Sequence, residues 1–129
     1  MLDLRDHKKL GKELYCAKKG LEQVHSIMVK DKRDKRHCQK ISQATDVVIH
    51  LLHLLEDSVP GDKLAVRYCR RHGVSIVVHS IDEGLRIIRE HLLKARSIMA
   101  NDNRHGEKTC IEKHFIMIDK VLSAIRSVG

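Results

Sequence analysis

Apolar positions along this chain recur in alternating steps of four and three, the spacing that lines one face of an α-helix. The first seam is Leu10, Leu14, Ala17, Leu21, Val24 and Met28. It predicts a helix within residues 1–29 that packs at a shallow angle in the manner of a bundle, with Gly11 and Gly20 weakening it locally. A second seam, Ile41, Ala44, Val48, Leu51 and Leu55, predicts a helix starting near Lys35 and closed by Pro60 and Gly61. Its middle is apolar on almost every side, because Val47, Ile49, Leu52 and Leu54 add to the seam. Such a segment belongs at the centre of a bundle, or under a second copy of the chain.

Asp62 is placed to cap a short helix ending at His72, with Gly73 as its left-handed terminator. Two patterns then compete. Val74, Ser75, Ile76, Val77 and Val78 alone would pass for a buried strand, but no second strand exists to pair with it. Val74, Val78, Ile81, Leu85, Ile88, Leu92, Ala95 and Met99 instead continue one helical seam, which favours a long helix over 74–100. A capping box at Ser80 and Glu83 marks a later alternative start. Residues 101–108 read as a loop, after which a capping box at Thr109 and Glu112 opens a last helix carrying Ile111, Phe115, Ile118, Leu122 and Ile125. The sum is an all-α chain: an antiparallel four-helix bundle with an additional short helix between the second and third long helices, in a single domain over 1–129.

Composition agrees with this. One Pro, one Phe, two Tyr and no Trp make a helix-rich, sheet-poor inventory, and three rings in all cannot form a base-stacking platform while also filling a core. No apolar run reaches membrane-spanning length, and no apolar N-terminal signal segment is present. Cys16, Cys38, Cys69 and Cys110 are widely spaced with no C-x-x-C pair, which points to free thiols in a reducing compartment. The expectation is an intracellular protein, cytoplasmic or nuclear, with no cofactor implied.

The formal net charge is +8, from 25 Lys and Arg against 17 Asp and Glu. Between residues 30 and 40 there are six cations, Lys30, Lys32, Arg33, Lys35, Arg36 and Lys40, against Asp31 and Asp34. Several basic side chains within reach of successive phosphates are what polyanion binding requires. With up-and-down connectivity the turn near residue 31 would share one end of the bundle with the 101–108 loop, adding Arg104 and Lys108 to this surface. The leading reading is therefore a non-enzymatic interaction or regulatory bundle. It binds an acidic partner, such as nucleic acid, an acidic protein face or an anionic lipid head group, and possible homo-oligomer or helical-partner contacts involve the second helix.

Ten histidines supply the alternatives. Asp46, His50, His53 and Asp57 share a face of the second helix and suggest a divalent-metal or proton-transfer site, with satisfied, partly buried histidines as the plainer explanation. Glu22-x-x-His25 is half of the spacing used by di-iron bundles, without a second copy. Arg67 to His72 and Arg86 to His91 are both Arg-x-x-x-x-His spacings. This spacing resembles the short motif of the helical ribonucleases of the HEPN kind, which implies an Arg holding a phosphate and a His moving a proton. Tyr68 and Ile87 stand where that family usually has a small polar residue, so RNA cleavage is kept as the alternative to binding.

Overall fold

The structure is a computed structural model that describes residues 4–58, 76–104 and 112–128. Among these residues it is all-helical: α1 (Leu4–Lys30), α2 (Lys35–Ser58), α3 (Ile81–Arg104) and α4 (Glu112–Val128), with no strand. The predicted short helix over 62–72 lies outside the described residues.

The apolar seams became the core. Every residue of the α1 seam is buried, as are Ile41, Ala44, Val48 and Leu51 of α2. In α3 and the segment before it, Val78, Leu85, Ile88, Leu92, Ala95 and Met99 are buried. In α4, Val121 is buried along with Ile118 and Ile125, whereas Leu122 and Phe115 are only half-buried, so the seam is rotated slightly from the expected one. Leu52 is buried too, and Val47 packs against the core. The apolar surplus of α2 is thus absorbed in part within one chain, while Ile49 and Leu54 stay half-buried outside the core cluster.

Four pairings close a ring: α1 with α2, α1 with α3, α2 with α4, and α3 with α4. The most extensive is α1 with α3, so α1 rather than α2 is the most heavily packed helix. Glycines let these two helices approach. A Cβ at Gly20 would lie 2.7 Å from Ile88 Cγ1, and one at Gly84 would lie 2.3 Å from Val24 Cγ2. Such distances are overlaps that a tightly packed interior cannot absorb without movement.

The register of contacts shows how the ring is threaded. Glu13 meets His91, Gly20 meets Ile88 and Val24 meets Gly84, so numbers fall along α3 as they rise along α1. Lys40 of α2 meets Ser127 of α4, and His50 acts on His114, again in opposite order. Among the described residues, consecutive helices α2 and α3 do not form one of the packed pairs. The up-and-down order round the ring is thus replaced by one in which residues 59–80 link two helices on a diagonal.

The continuous helix expected over 74–100 is corrected. Residues 76–79 are not helical, and α3 begins at Ile81. Ser80 Oγ accepts from the Glu83 N–H at 3.2 Å, and Glu83 Oε2 accepts from the His79 N–H at 3.3 Å, a pair of bonds that caps the first turn. The extended piece before the cap finds its hydrogen-bond partner in a side chain. Gln23 on α1 accepts from the Val78 N–H at 2.8 Å through Oε1 and donates to the Ile76 carbonyl through Nε2.

Candidate functional site

The basic cluster sits at the turn from α1 to α2, and local hydrogen bonds fix its shape. Lys32 N–H donates to the Val29 carbonyl at 3.2 Å and Arg33 N–H to the Met28 carbonyl at 2.9 Å, the two bonds of a Schellman termination. Lys32 holds the left-handed position of that motif, with φ 54°. Asp34 then caps α2, its Oδ1 accepting from the Arg36 N–H at 2.9 Å. Asp34 keeps its charge while it caps, so over residues 30–40 six cations still stand against two carboxylates.

Lys30, Lys32, Arg33, Lys35 and Arg36 are all exposed. Among the described residues none of the five lies within ion-pair distance of a carboxylate, although Lys18 and Lys19 share Glu22 and Arg96 is held by Asp119 elsewhere. Lys40, one turn further along α2, donates to Ser127 Oγ at 3.2 Å and so ties α2 to the end of α4.

The start of α3 packs beside this turn. Together they border a cleft of about 450 Å³ with Arg33, His37, His79, Asp31 and Asp82 among its polar lining and Ile27, Met28, Ile81 and Val128 among its apolar lining. Sequence reasoning missed this cleft, because it depends on which helix end the diagonal link brings to the turn. For the same reason Arg104 does not join the cluster. It is the last residue of α3, whose first residue is the one at the turn, and a rise of about 1.5 Å per residue puts its backbone roughly 35 Å away. The expected sharing of one end by the 31 turn and the 101–108 loop is corrected accordingly. Lys108 lies outside the described residues.

The other constellations separate. Arg86 is exposed on α3, whereas His91 is half-buried with its Nδ1 2.5 Å from Glu13 Oε2 on α1. Five residues on a helix turn the chain by about 140° from a common direction, so Arg86 and His91 do not converge on one phosphate. Arg67 and His72 lie outside the described residues. His50 and His53 are exposed on α2, and Asp57's side chain is not among those described. Glu22 of the Glu-x-x-His pair is taken up by Lys18 and Lys19 at 3.6 and 3.7 Å. Among the described residues no three His, Cys, Asp or Glu side chains gather as a metal site.

His114 on α4 has a displaced titration. Burial pushes its pKa below the ordinary 6.5, with Lys113 and His50 adding repulsion. Cys16 is buried, and Cys38 is a free thiol half-buried against the core; Cys69 and Cys110 lie outside the described residues. No described helix is long and apolar enough to cross a membrane.

No family model, curated protein or solved structure matches this chain. Function therefore has to be argued from the site itself.

Proposed function

We propose that this chain is an antiparallel four-helix bundle that acts by binding, and that the α1–α2 turn is its docking surface for an acidic partner. The observation that carries the reading is the set of five exposed cations, Lys30, Lys32, Arg33, Lys35 and Arg36, with no carboxylate in ion-pair reach among the described residues. Charges left unpaired on a turn held by a Schellman motif and an Asp cap are available to a partner at little further cost of backbone ordering. Lys40 extends the surface along α2 while its ammonium is shared with Ser127. Arg104 belongs to the opposite end of the same fold and plays no part in it. An intracellular location, cytoplasmic or nuclear, is part of this proposal, supported by four widely spaced cysteines with no C-x-x-C pair.

The test is binding to immobilised heparin at physiological salt, comparing wild type with a variant carrying Lys32→Glu, Arg33→Glu, Lys35→Glu and Arg36→Glu. Wild type should be retained and should elute with rising salt, as release of counterions requires. The variant should flow through with unchanged helicity by circular dichroism. Equal retention of the two proteins would refute the surface.

A further inference from the structure

The exposed large hydrophobics of the described residues are Val29, Val77, Leu93 and Ile116. Two of them stand at the basic end. Val29, 57 % exposed, immediately precedes Lys30, and its carbonyl is one of the acceptors that shape the turn. Val77, 60 % exposed, lies between Ile76 and Val78, whose backbone is held by Gln23. His79 and Ser80, just beyond it, line the same cleft as Asp31 and Arg33, so Val77 stands on the flank of this end, beside Gln23 and roughly 10 Å along α1 from Lys30. Leu93 and Ile116 lie well along α3 and α4, away from the turn.

Two outward valines beside a cluster of unpaired cations are a combination that a nucleic-acid backbone does not use. Phosphates and sugars offer valine nothing, and single-stranded bases stack on aromatic rings. The described rings are elsewhere: Tyr15 lies against Lys18 and Lys19 in the body of α1, and Phe115 against Arg96. An anionic bilayer surface satisfies both features, since lipid phosphates and carboxylates attract the cations while small apolar side chains enter the boundary beneath the head groups.

On these grounds, and resting on the docking surface proposed above, we infer that the acidic partner is an anionic membrane, met end-on by the α1–α2 turn with Val29 and Val77 entering the interface. The binding is peripheral and reversible. Lys30, Lys32, Arg33, Lys35 and Arg36 supply the attraction, roughly fivefold in affinity per cation close to the surface. Asp31 and Asp82 oppose it. Asp34 and Glu83, which accept from the Arg36 and His79 N–H groups, keep their charge and oppose it as well.

The chain has no Trp, so an introduced indole reports on one position alone. Val77→Trp and, separately, Val29→Trp are mixed with vesicles of pure phosphatidylcholine, with vesicles of phosphatidylcholine containing phosphatidylserine, and with duplex RNA, all at physiological salt. The expected result is sedimentation with the serine-containing vesicles only, accompanied by a blue shift of emission in both variants. Val29→Ser with Val77→Ser in otherwise wild-type protein should weaken that binding about tenfold or more while leaving heparin retention unchanged. Binding to RNA with no binding to vesicles would overturn the inference while the polyanion surface stands. Failure to bind vesicles, RNA and heparin alike would remove both. Sedimentation without any emission shift would overturn the insertion of the valines.

Discussion

Lys32 stands where the backbone has φ 54°, a position at which glycine is the usual occupant because it has no Cβ to crowd the following carbonyl. A lysine there costs stability and adds a fifth cation to the turn. Lys32→Gly should therefore separate the two properties. The substitution is expected to stabilise the fold by about 1 kcal/mol in urea denaturation, since the left-handed conformation is relieved of its side-chain penalty. It should at the same time reduce heparin retention, because one of five unpaired charges is gone. A destabilised variant would show that the lysine side chain makes a supporting interaction in the folded state.

At the scale of the element, the backbone of Ile76 and Val78 before α3 is hydrogen-bonded by one side chain of α1. Gln23 satisfies the Val78 N–H and the Ile76 carbonyl, doing for this extended segment what a neighbouring strand does in a sheet. Gln23→Ala leaves both groups without that partner, and a lost pairing of partly buried backbone costs about 1–3 kcal/mol. Lower stability in urea and rapid hydrogen exchange at the Val78 amide are the expected outcomes; an amide still protected in the variant would show that another group holds the segment. This contact also explains where the sequence could and could not be read. The four-and-three seams of α1 and α2 gave the core directly, because burial of one helical face imposes that rhythm. The same rhythm ran through Val78 although it is not helical, since its side chain reaches the core from extended backbone. The strand alternative lacked a second strand, and nothing in the composition marks a glutamine as its substitute. Gly20 looked like a weak point in α1 and is a point of contact with Ile88, a distinction that only the neighbouring helix reveals. The cations of the turn were legible because they are contiguous, whereas Arg104 was misplaced because the length of the link between α2 and α3 does not say which end of α3 comes back to the turn.

At the scale of the whole molecule, the ring is closed by α4, which packs on α2 and α3. Along the face it shares with α2, Lys40 donates to Ser127 beside the basic turn, and His114 stands further along, where His50 adds repulsion. The latter place is sensitive to acid. His114 is held below its ordinary pKa of 6.5, first by burial and then by Lys113 and His50, so the folded chain resists the proton that an unfolded chain accepts. As pH falls through about 6.5 the unfolded state takes up that proton and is favoured; the loss of stability is complete once pH is below the folded value, and above 6.5 the full stability is present. His114→Gln removes this site while keeping a polar side chain of similar reach. Urea denaturation followed from pH 7.5 to pH 5 should show wild type losing more stability than the variant, the difference between the two curves being the part linked to His114. Parallel curves would mean that the closure of the ring by α4 is indifferent to this proton.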